Sequence, residues 1–123
     1  MIKQKICIVG NGLTGLTTAL ILSNLNLEIH LIGKFKKKKD IYDKRTTAIS
    51  HDNYKFLTNF IKEKKELKSF WSIKKINLFH EEISGYKNFL NFENNGQNLM
   101  HIVQNNKLKQ ILLEKIKKNK NVK

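Results

Sequence analysis

The apolar positions of the chain change period several times, and each change marks an element. Residues 5–9, Lys5-Ile6-Cys7-Ile8-Val9, form a short β-rich run that breaks at Gly10-Asn11-Gly12 and resumes with leucine spacing. Leu16, Leu20 and Leu27, with Ala19 and Ile21 between them, predict a helix with a broad apolar face, running from near Leu13 to near Leu25-Asn26. Leu27-Glu28-Ile29-His30-Leu31-Ile32 then alternates apolar with polar residues and predicts a second strand, stopped by Gly33. Strand, helix and strand within about 30 residues make a βαβ unit, whose crossover is right-handed and whose strands are parallel.

Beyond Gly33 charge replaces periodicity, and residues 36–44 are the most loop-like stretch of the chain. Ser50 suits a helix N-cap, with Asp52 in the first turn and Tyr54, Leu57, Phe60 and Ile61 as the buried face. Residues 62–68 read as a charged connector. Phe70 and Trp71, taken as core anchors, precede a strand over 73–79. A turn at Ser84-Gly85, a short strand over 89–92, an Asn94-Asn95-Gly96 turn and β character over 99–103 follow. Asn105 is placed to cap a last helix whose Leu108, Ile111, Leu112 and Ile116 share one face. Asn119 to Asn121 reads as a turn, and Val122 as the opening of another strand. The predicted class is α/β: a partial Rossmann-like βαβ domain with extra short strands and a C-terminal helix.

Length and composition narrow this picture. A chain of 123 residues fits one domain with a real core and is too short for a two-domain redox enzyme. A hydrophobic share of 40% argues against wholesale disorder. The net charge of +14 would point to nucleic acid or an anionic membrane. Yet Arg45 is the only arginine, there is no proline, and asparagine and isoleucine abound. That is a compositional background of solvated lysines, which gives salt-sensitive affinity for any polyanion and no specific nucleic-acid partner. Cys7, the single cysteine, has no disulfide partner within the chain and is expected as a buried structural thiol, compatible with a reducing cytoplasm. No run reaches the roughly 18–20 apolar residues of a membrane span. The glycines interrupt the apolar run after Lys3 and Lys5, so this start reads as mature sequence rather than as a signal peptide.

Residues 10–15 carry the candidate chemistry, a Gly-x-Gly-x-x-Gly turn between strand and helix. Gly10 permits the tight turn, Gly12 lets a pyrophosphate approach the backbone, and Gly15 lets the helix lie close on the sheet. The N–H groups and positive dipole end of the helix that starts near Leu13 and Thr14 then hold the anion. A carboxylate for the adenosine ribose is expected after Leu31-Ile32, but Gly33 stands there. Lys34 and the lysines at 36–39 follow, with charge suited to the 2′-phosphate of NADP; the plainer reading is a solvated loop. Ser50, His51 and Asp52 are neighbours at a helix start and point apart, so they cap rather than catalyse. His30, His51, His80 and His101 are scattered and give no metal constellation. Glu81 and Glu82 face opposite ways in a strand. Phe70-Trp71 among lysines has base stacking as an alternative to core anchoring. No residue presents itself as catalytic acid, base or nucleophile.

Three blocks together resemble the flavoprotein aromatic hydroxylases, and especially the ubiquinone-biosynthesis hydroxylases. They are Ile8-Val9-Gly10-Asn11-Gly12-Leu13-Thr14-Gly15, then Asp43-Lys44-Arg45-Thr46-Thr47-Ala48-Ile49-Ser50, then Leu99-Met100-His101-Ile102-Val103-Gln104-Asn105 with Leu108 and Leu112. The Asp-x-Arg-Thr-Thr-Ala block is much the more specific. The resemblance implies that residues 1–123 are the N-terminal portion of an FAD-binding domain, truncated or split from a longer enzyme and inactive alone. It puts Gly10, Gly12, Gly15 and the amides of Leu13 and Thr14 on the FAD pyrophosphate, Arg45 over the phosphate and ribityl side, and Asn105 beside the ribityl chain. Gly33, just before Lys34, stands where the family has its ribose-binding acid. In the family NAD(P)H reduces the flavin, and oxygen is then used to hydroxylate an aromatic ring. An aromatic quinone precursor would be the substrate and a second chain could complete the site. The resemblance also implies a cytoplasmic protein, at most peripheral to the inner membrane. Two rivals remain: a free-standing module for NADP or another nucleotide, and a basic polyanion-binding protein.

Overall fold

Ile6 and Ile8 face the core while Lys5, Cys7 and Val9 face out. This two-residue alternation makes Gln4–Val9 the first strand, β1, of the computed structural model, which describes residues 3–34 and 43–123. Cys7 is therefore exposed, contrary to expectation. Its apolar neighbours alternate with it, so burying them turns the thiol to the opposite face. The chain crosses through helix α1 (Leu13–Leu22) to β2 (Leu27–Ile32), which pairs parallel to β1 from Gln4↔Leu27 to Val9↔Ile32. The βαβ unit is thus as predicted, but α1 ends before Leu25. Ser23 Oγ and Asn24 Nδ2 both donate to the Leu20 carbonyl at 2.7 Å, and such local side-chain bonds stop a helix. Leu27, counted above both on the helix face and as the start of the second strand, belongs to β2 alone. At the far end Val122 bridges Ile29 in parallel, and Lys123 N–H donates to Ile29 O at 2.8 Å. The last residues extend this sheet beside β2, as expected of Val122.

The second sheet has the order β3 (Thr46–Ser50), β7 (Met100–Gln104), β4 (Trp71–Ile73), all antiparallel. Sequence reasoning left β3 unassigned, although Thr47 and Ile49 alternate with more exposed neighbours. Helix α2 (His51–Ile61) follows at once, with Ser50 Oγ accepting from Asn53 N–H at 3.4 Å as the predicted cap. Leu57 and Ile61 of α2 are buried. The connector at 62–68 holds a short helix, α3 (Lys64–Leu67), fastened from outside: Lys115 Nζ reaches Glu63 at 2.5 Å and Glu66 at 3.1 Å. Phe70 is buried and meets Tyr54 edge-on, whereas Trp71 starts β4 and is 52% exposed, so only the first of the two aromatics anchors the core.

The strand expected over 73–79 divides at Lys74. Beyond it β5 (Lys75–Glu82) and β6 (Gly85–Glu93) form an antiparallel ribbon, longer than the predicted piece at 89–92. Register places Ile76, Leu78, Leu90 and Phe92 on one face. Asn77 and Asn91 lie on the other, where Asn88 donates to Asn91 at 2.8 Å. Every residue of β6 is exposed.

Helix α4 (Asn105–Lys117) joins the two sheets. Its Leu108, Ile111, Leu112 and Ile116 are buried, as their spacing predicts. They share one core with Leu16, Ala19 and Leu20 of α1, Ile29 of β2 and Val103 of β7. Each of these leucine, isoleucine and valine side chains contributes about 1.5–3 kcal/mol by leaving water. No helix among the described residues is long and apolar enough to cross a membrane.

Candidate nucleotide-binding site

The glycine turn is built by close approach. Gly10 has φ +116°, a conformation that L side chains rarely adopt, and its N–H donates to Ile32 O at 2.7 Å. A Cβ on Gly15 would lie 2.0 Å from Gly10 O, so α1 packs directly on the turn. At Gly12 nothing lies within 4 Å of where a Cβ would stand. Gly12 is also the N-cap of α1, without a side-chain cap and with no acidic residue in the first turn. The N–H groups of Leu13 and Thr14 therefore open onto solvent space at a helix N-terminus, a ready anion site. These residues fit a diphosphate.

Gly33 has a packing reason to be glycine. A Cβ there would lie 2.7 Å from Asn11 Cγ, and Asn11 Nδ2 donates to Lys34 O at 2.8 Å. Asn11 fills the room that a ribose-binding acid at Gly33 would need. Lysines 36–39, the other half of the proposed 2′-phosphate contact, lie outside the described residues.

The second block meets the third at Arg45. Its Nε and Nη2 donate to the two oxygens of Asp43 at 2.8 and 2.9 Å. The Arg45 side chain hydrogen bond, then the Arg45 backbone N–H, hold the Asp43 carboxyl down at about 2. Arg45 O accepts from Asn105 N–H at 3.0 Å. Asn105 is not the cap it was expected to be: Gln104 holds that position, and Asn105 Oδ1 instead accepts from Thr47 Oγ at 2.6 Å. A long-range hydroxyl donor outcompetes the local capping bond. Thr47 in turn lines a cleft of about 350 Å³ together with Leu13, Thr14 and Thr17 of α1. Thr47 is thus the member of the Thr47–Asn105–Arg45–Asp43 cluster that shares a cleft wall with the start of α1.

Sequence reasoning missed one cluster. His51 Nδ1 and His101 Nε2 lie 3.0 Å apart, and the buried His101 ring stacks on Tyr54 at 3.6 Å between centroids. Pairing of β3 with β7 sets Ile49 opposite His101 and so brings these scattered residues together. Burial, and then the neighbouring His51, push the His101 pKa below its usual value. The folded state therefore binds fewer protons than the unfolded chain. Stability is full above the unfolded value of about 6.5 and is lost as pH falls through the lower folded value. Urea unfolding between about pH 8 and pH 5 should show this loss, and His101→Phe should flatten it. An unchanged slope in that variant would remove His101 from the explanation. No group of three or more metal-ligating side chains occurs among the described residues.

No protein-family model matches the chain, and no curated protein matches it. Solved structures do. PqsL of Pseudomonas aeruginosa, a probable FAD-dependent monooxygenase, superposes with a TM-score of 0.76 at 12% identity over 98% of this chain and 32% of its own. The p-nitrophenol 4-monooxygenase PnpA of Pseudomonas putida gives 0.74 at 18% identity over 98% and 31%. CtdE in complex with FAD gives 0.63 at 16% identity over 98% and 30%. The chain shares the α/β fold of part of these flavoprotein monooxygenases and spans about a third of their length.

Proposed function

We propose that the chain is the N-terminal FAD-binding portion of an NAD(P)H- and oxygen-dependent aromatic-ring hydroxylase of the ubiquinone-biosynthesis type. The observation that carries this is the cleft in which Leu13 and Thr14, at the open start of α1, meet Thr47, the last residue of the Asp43-Lys44-Arg45-Thr46-Thr47 block, with Thr47 bonded to Asn105 and Asn105 to the Arg45 carbonyl. Gly10, Gly12 and the amides of Leu13 and Thr14 would receive the pyrophosphate, and Arg45 would add a planar cation that grips two phosphate oxygens where lysine cannot. Asn105 would face the ribityl side. Bound FAD supplies the redox and oxygen chemistry; the residues here bind and orient it.

The substrate in this reading is an aromatic quinone precursor, handled in the cytoplasm or at the inner-membrane surface. Hydroxylation needs further polypeptide, which would complete the ring pocket. Two open surfaces support that need. Val9 and Ile32 are 83% and 56% exposed on the outer side of the first sheet, and the apolar face of the β5–β6 ribbon is uncovered among the described residues.

Titration of the purified chain with FAD, ADP and NADPH tests the reading. FAD should bind, ADP should compete with it, and no aromatic substrate should turn over with NAD(P)H and oxygen. A clear preference for NADPH, abolished by replacing Lys34 and the lysines at 36–39, would instead establish the NADP module.

A further inference from the structure

Arg45 is 81% exposed, and an arginine so placed ordinarily samples many rotamers. Here three bonds to one carboxylate hold it. Nε donates to Asp43 Oδ1 at 2.8 Å, Nη2 to Oδ2 at 2.9 Å, and the Arg45 backbone N–H to Oδ1 at 3.0 Å. The pairing is side-on. It uses one edge of the guanidinium and leaves Nη1 with no hydrogen-bond partner among the described residues. The Asn105 side chain also interacts with Asp43, while its oxygen accepts from Thr47 and its backbone N–H holds the Arg45 carbonyl. Asp43 is thereby braced from the start of α4, whose Asn105 is held in turn by Thr47 of β3.

We propose that Asp43 is a positioning residue: it turns the free end of the Arg45 guanidinium toward the diphosphate of a bound dinucleotide, and stays paired when the ligand arrives. This rests on the FAD-binding reading. The rival role is competition, in which Asp43 occupies Arg45 until phosphate displaces it. The side-on geometry favours positioning, because the edge taken by Asp43 is not the end left for phosphate. It also neutralises much of the arginine charge, so recognition depends on the shape of the fork more than on net attraction.

Arg45 is the only arginine in the chain, so its Nε–H gives a single, self-assigned signal in a proton–nitrogen correlation spectrum. In the full chain that signal should be slow to exchange, and should persist on saturation with ADP or FAD. Asp43→Asn should lose it and bind ADP about tenfold more weakly. Arg45→Ala should weaken ADP similarly, and the double variant no further, because the two residues act through one contact. Thermal unfolding by circular dichroism checks that the variants fold, and Asp43→Ala serves if Asp43→Asn does not. Loss of the Nε–H signal on ligand binding, or tighter ADP binding by Asp43→Asn, would establish competition. Additive losses in the double variant would leave Asp43 a structural role only. If the native chain binds FAD and ADP but Arg45→Ala binds ADP equally, Arg45 does not touch the diphosphate and the proposal fails while the FAD reading stands; if the native chain binds neither ADP nor FAD, the reading fails and the proposal with it.

Discussion

Gly15→Ala should cost about 3 kcal/mol of stability, whereas Gly12→Val should leave stability within about 1 kcal/mol and lose FAD. The first sign is unusual, since alanine in a helix normally stabilises by about 1 kcal/mol relative to glycine. At Gly15 the added Cβ would sit 2.0 Å from Gly10 O and 3.0 Å from Gly10 C. Both are backbone atoms, with no rotamer to swing aside. The turn must open, which strains the Gly10 N–H bond to Ile32 O. Gly12 differs in every respect. Its φ of −72° is open to any residue, and empty space surrounds the missing Cβ. Valine there blocks only what would come in from outside. Urea unfolding and FAD titration of both variants separate the effects. Full FAD binding by a folded Gly12→Val would mean that the turn is not the pyrophosphate site.

Leu112→Ala should cost about 2–5 kcal/mol. Leu112 is fully buried in the core that α4 shares with α1, so truncation leaves a cavity between the two helices. Lys107→Ala, on the exposed side of the same helix, should stay within about 0.5 kcal/mol. The two urea midpoints, compared at equal slope, give the result. The core assignment is wrong if Leu112→Ala behaves like Lys107→Ala. Because α4 begins at Asn105, loosening it should also slacken the bond to Thr47 that braces Arg45.

What was legible in the sequence was what local spacing encodes. The leucines of α4, the alternation of β2 and the glycine turn each carry their period within one element, and they stand where the pattern puts them. Cys7 is apolar enough for a core, yet its place in the alternation Ile6-Cys7-Ile8 decides its face and leaves it exposed. Asn105 carried a side chain equally suited to a cap and to a long-range acceptor, and the partner that decides, Thr47, lies 58 residues away. The same holds for His51 and His101, which only strand pairing unites. The fold class was therefore readable from the glycine block and its flanks, while the bracing of Arg45 was not. Gly33 is an intermediate case: its missing acid was visible, but the reason, the Asn11 side chain, needed coordinates.

That clasp between the turn and the end of β2 has an energetic meaning. Gly10 is tied to Ile32 and Asn11 to Lys34, so the loop is fastened on both sides before any ligand arrives. Little backbone entropy remains to be lost on binding, and affinity gains what a floppy loop would forfeit. The same clasp excludes a side chain at position 33. If FAD binds as proposed, a direct grip on the ribose is exchanged for a cradle that is already set.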